Sequence, residues 1–140
     1  MTSTALKSKP FLDLDAVKRI AAAAEGEAQR HAWAVSIAIV DDGGHLLSLQ
    51  RLDGAAPISS HIAPAKARTA ALGRRESKVY EEMINQGRMS FLSAPDLHGM
   101  LEGGVPIVVD GVVVGAVGVS GVTSQQDAVV AAAGAGAVRP

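Results

Sequence analysis

The chain has 140 residues, a formal charge of −1, and 48% hydrophobic against 19% charged residues, enough for one domain with a single core. No cysteine is present, which removes disulfides and thiolate metal sites. A near-zero charge without a basic cluster argues against a nucleic-acid partner.

Residues 1–12 are polar, contain Pro10 and lack an apolar h-region, so they read as a lead-in and predict a cytoplasmic location. The domain proper is expected over 13–137. Asp13 is placed to cap a helix in which Leu14, Val17, Ile20, Ala21 and Ala24 follow helical spacing to about Arg30. Alternation then predicts a strand over 34–40, with Val35, Ile37 and Ile39 on one face and Ser36, Ala38 and Val40 on the other. Asp41-Asp42-Gly43-Gly44 forms a turn, and 46–52 returns as the second strand of a hairpin.

A second helix follows Ser59-Ser60, with Pro64 expected in its first turn, where a missing N–H costs least. Ala63, Ala67, Ala70 and Ala71 give it a small-residue face. A short helix over 77–86 is capped by Ser77, and residues 88–103 show little pattern beyond a brief strand expected at 97–101. Asp110-Gly111 between β-branched runs predicts a type I′ hairpin. Gly115, Gly118 and Gly121 recur every third residue in its second strand, which requires a close neighbour, either a helix or a ligand. Ser124-Gln125-Gln126-Asp127 resembles a capping box for a last helix. Two hairpins separated by helices imply an antiparallel sheet covered by helices, an α+β fold in a single domain. So few charges and aromatics also predict that sister subunits cover part of the apolar surface. No apolar stretch is long enough to cross a membrane, because Asp110 and glycines interrupt the longest.

Three segments could carry chemistry. The first gathers His61, Lys66, Arg68 and Thr69 on one helix, with Lys66 and Arg68 about 160° apart around its axis. The bland reading makes both cations a solvated face. The second is Gly103-Gly104 before Val105-Pro106, whose amides could face an anion or simply form a tight entry turn. The third is Gly118-Val119-Ser120-Gly121, a strand-to-helix junction able to receive an anion. The four histidines, His31, His45, His61 and His98, lack metal-ligand spacing, and no metal site is expected. His61 lies nearest a helix start, which favours its neutral form as a base or ligand.

Four pieces in register, VDDGG at 40–44, IAPAKARTAA at 62–71, GGVPIVVD at 103–110 and GAVGVSG at 115–121 with Asp127, resemble the GlcG/HbpS-like, haem-degrading-type family across about 12–137. The resemblance implies a profilin-like domain with a five-stranded antiparallel sheet, and assembly into dimers or larger oligomers. Some members bind haem, related domains are attached to PduO-type corrinoid adenosyltransferases, and others are encoded beside catabolic genes without a settled activity. This sequence departs from the family in placing His61 before Ile62-Ala63, where many relatives carry Asp.

The leading expectation is therefore a small-molecule-binding homo-oligomer, with haem or another tetrapyrrole as ligand. Its ligand-binding set is His61, Lys66, Arg68, Thr69, Gly103, Gly104, Val105, Pro106, Gly118 and Ser120. The second reading is a cofactor-independent enzyme acting on a small carboxylate, with His61 and Lys66 catalytic. The third is an accessory module without chemistry, marked by a filled groove between the Lys66 helix and the second hairpin.

Overall fold

The computed structural model describes residues 5–138. Residues 1–4 of the expected lead-in lie outside them. The chain runs α1 (Leu14–Arg30), β1 (Ser36–Asp41), β2 (Leu46–Arg51), α2 (Ser59–Gly73), α3 (Lys78–Asn85), a 3-10 turn (Met89–Ser93), β3 (Gly104–Val109), β4 (Val112–Ser120) and α4 (Ser124–Ala135). The fold is α+β, as expected, with four strands in the order β2-β1-β4-β3, every pair antiparallel.

The four-stranded sheet corrects the expectation of five. Residues 97–101 form no strand, and the outer edge of β3 shows why. Gly104 bonds to Ser77 through both its N–H and its C=O, and Pro106 has no N–H to offer. Gly99 instead presses against the Ala65–Lys66 backbone of α2, where any side chain would collide.

β1 and β4 are central and buried on both faces. Ile37 and Ile39 join Ile20, Ile107, Val117 and Val119 in a core covered by α1 and α4. Ala38 and Val40 face α2, where Ala63, Ala67, Ala70, Ala71 and Ala116 complete a second, thinner core. The helices thus form a layer on either side of the sheet. Leu12, at the end of the expected lead-in, is part of the first core.

Local chemistry accounts for most boundaries. Asp13 caps α1 by accepting from the Ala16 N–H at 2.8 Å. Asp110 (φ 51°) and Gly111 (φ 76°) supply the two positive torsions of the expected hairpin turn. Asp41 accepts from the Gly43 and His45 amides, closing the first turn, and these bonds hold its carboxyl below the usual range against the opposing effect of burial. Three expectations shift. The box at α4 starts one residue early, with Thr123 and Gln126 exchanging bonds, which releases Asp127 for another role. Helix α2 begins at Ser59, so Pro64 lies inside it instead of in its first turn. Ser77 makes no cap bond to α3, because its hydroxyl donates to the Leu101 carbonyl and accepts from the Gly104 N–H.

Candidate functional site

The glycine-rich segments meet at one place, under α2. A side chain at Gly118 would run into the Ala63 carbonyl and the Ala67 amide, and one at Gly104 into the Lys66 carbonyl. Helix backbone therefore lies directly on β3 and β4, and the groove between the Lys66 helix and the second hairpin is filled. Close packing is the physical reason for these two glycines.

Lys66 is 3% exposed and points inward. Its ammonium donates to the Val119 carbonyl at 2.9 Å and to Asp127 Oδ2 at 3.0 Å. The other oxygen of Asp127 accepts from the Val122 N–H at 3.1 Å. Gly103, at φ 132°, makes room for this, since a Cβ there would sit 2.7 Å from the ammonium nitrogen. Burial raises the Asp127 carboxyl above its ordinary value, outweighing the ammonium and the backbone amides that pull it down. The ion pair ties α2, the end of β4 and the start of α4 together.

The other expected site residues spread in different directions. His61 is exposed on the outer side of α2. Arg68 leaves the opposite side from Lys66, within 3.4 Å of the Gly44 carbonyl and 4.0 Å of Asp96. Thr69 is buried and returns its hydroxyl to the Ala65 carbonyl at 2.9 Å. The Gly104 amide is occupied by Ser77. Val105 packs against the α1/α4 core, Pro106 lies on edge strand β3 opposite Ala116, and Ser120 is buried opposite Ser36. Lys66 and the Gly103-Gly104 turn meet as a buried structural unit. His61 and Arg68 do not join them.

Open space lies elsewhere. A cleft of about 380 Å³ separates α3 from the loop before β3. Ile84, Leu92, Leu97, Met100 and Leu101 give it apolar walls, and Glu81, Asn85 and His98 supply a carboxylate, an amide and an imidazole. Mostly apolar walls with a few polar groups are what a flat, poorly soluble ligand needs. Leu92 and Leu101 are exposed here, although nothing in the fold requires apolar residues at those positions. Its loop residues, Leu92 to Leu101, follow neither a helical nor a strand period, so the sequence does not join them to the α3 face formed by Glu81, Ile84 and Asn85. The usable signal was an imidazole among leucines in an unpatterned segment. A second opening, about 710 Å³, lies between the end of α1 and β2, with Glu25, Gln29, Trp33, Arg51 and Asp53 among its walls. Its charges suit a polar occupant.

The model of the family described as "Haem degrading protein HbpS-like" matches residues 12–136. The chain is 58% identical to protein GlcG of Escherichia coli (strain K12) over 115 residues, 82% of this chain and 85% of that protein. The crystal structure of HbpS aligns with a TM-score of 0.86 at 30% identity, covering 99% of both chains. That of a PduOC:heme complex aligns at 0.80 and 26% identity, over 92% of this chain and 96% of that one. On these matches, spread over nearly its whole length, the chain belongs to the HbpS-like family of haem degrading proteins.

Proposed function

We propose that this protein is a self-associating binder of haem or a related tetrapyrrole. The observation that carries the reading is the apolar cleft between α3 and the loop before β3, with His98 on its wall. The donor set fits: an imidazole is a common axial ligand for haem iron, and leucine, isoleucine and methionine side chains suit the face of a macrocycle. A cleft of about 380 Å³ would admit part of such a ligand, with His98 and the leucines as the residues that would hold it. Haem bound there would supply redox and oxygen chemistry, while the chain provides the imidazole, the apolar wall and partial exclusion of water. The heme complex of a structural relative supports the same ligand class.

His98 takes the role that the sequence suggested for His61, which stands on exposed helix surface. The carboxylate-processing reading draws less support, because Lys66 near Gly103-Gly104 is engaged by Asp127 and His61 stands apart on exposed helix surface. Hemin titrated into the purified protein is expected to give a saturable Soret shift. His98→Ala weakens binding about tenfold or more, or ~1.4 kcal/mol, and His61→Ala leaves it unchanged. A titration indistinguishable from free hemin overturns the reading.

A further inference from the structure

The two outer strands of the sheet end very differently. On β3 the outward-facing groups of Gly104 are taken by Ser77 and Pro106 has no donor, so that edge is closed. On β2 nothing covers the ladder among the described residues. Leu52 donates to the Val35 carbonyl, and the register pairs Ile37 with Gln50 and Ile39 with Ser48. Alternation then turns the N–H and C=O of Leu49 and Arg51 away from β1, toward solvent. The strand contains no Pro or Lys, its one charge, Arg51, stands at its end, and Leu46, Leu47 and Leu49 are all at least 40% exposed. Charges and prolines are how natural edges avoid pairing.

We propose that β2 pairs antiparallel with β2 of a second copy about a two-fold axis at Leu49. This names the surface behind the self-association proposed above and rests on that reading. The register is self-complementary. Leu49 meets Leu49 of the second copy through two backbone hydrogen bonds, on the face where its partner Ala38 lies against α2. Ser48 then stands opposite Gln50 on the other face, an apolar pair backed by a polar one. Beyond the ends of β2 the same alignment brings His45 of each copy toward Asp53 of the other, twice by symmetry. Two copies form one continuous sheet of eight strands, and the bulge between Ile39 and Val40 adds twist near its centre.

The test uses the complete chain, whose lack of cysteine makes single cysteines informative. Facing residues in a hydrogen-bonded antiparallel pair have Cα atoms about 5.5 Å apart, within disulfide reach. Leu49→Cys under mild oxidation is expected to give a covalent dimer several-fold faster than Val108→Cys on the closed edge. Leu49→Lys, folded by circular dichroism, is expected to halve the assembled mass in light scattering or to give monomer. Wild type that is monomeric at all concentrations overturns self-association and this surface together. Wild type that assembles, with Leu49→Lys assembling equally and no preference for the Leu49→Cys link, overturns the surface alone. Hemin titration of the same variants reports ligand binding separately.

Discussion

The two faces of the sheet solve the same burial problem with opposite materials. Toward α1 and α4 the core consists of Ile20, Ile37, Ile39, Ile107 and a set of valines, so branched side chains set the distance between layers. Toward α2 it consists of alanines and glycines with one valine, Val40, and at Gly118 and Gly104 backbone meets backbone. Large side chains can repack when one is trimmed, whereas a carbonyl against a glycine Cα has nowhere to move. The α2 face is also where a charged pair is sealed in, because alanine-sized neighbours leave room for one long lysine. That face should tolerate the least change.

The sharpest break is Gly118→Val, which forces α2 off the sheet. A loss above about 4 kcal/mol is expected, seen as failure to yield folded protein. Next comes Asp127→Ala, which strands the buried Lys66 ammonium and should cost about 3–5 kcal/mol in denaturant unfolding. The double variant Lys66→Met, Asp127→Leu should recover most of that loss, since apolar residues of similar size often replace a buried pair without penalty. If the single and double variants are equally unstable, the pair matters for its shape and not its charge. On the opposite face, Ile39→Val should cost only about 0.5–1.5 kcal/mol. An equal loss there would erase the contrast between the faces.

The smallest effect is one of pH. Burial raises the Asp127 carboxyl, so the folded chain holds that proton more tightly than the unfolded chain, whose value lies near 3.8. The stability this adds is complete below that value and is lost as pH rises through the folded one. The difference in unfolding free energy between wild type and Asp127→Asn should therefore fall from pH 4 toward neutrality. A flat or rising difference would mean that the ammonium outweighs burial.

Much of this architecture was readable from residue order, for physical reasons that can be named. β1 alternates Ile and Ala because its two faces meet different layers, and Asp110-Gly111 reports a turn that few residue pairs adopt. The glycine spacing at 115, 118 and 121 demanded a close neighbour, which is helix α2 only at Gly118; Gly115 lies against the Val40 carbonyl and Leu12, and Gly121 against the Ala34 carbonyl. Lys66 misled for a related reason: a lysine on a helix is normally solvated, and its buried partner lies 61 positions away. The capping box drew Asp127 into the wrong bond because Ser124 and Thr123 are chemically alike. The cleft at His98 left only a faint trace, an imidazole among leucines, since its loop residues gather there through contacts with α2 and α3 that no local period encodes.

The hydroxyl of Ser77 and the ring of Pro106 have one further implication. A sheet that can be lengthened at both ends invites endless stacking, as in fibrils. Here Ser77 and Pro106 block β3 at Gly104 and Pro106, so under the proposed pairing a single addition at β2 uses up the open edge. Replacing Pro106 and Ser77 together would free the donors at positions 104 and 106 on β3, while the Ser77 backbone N–H keeps the Gly104 carbonyl.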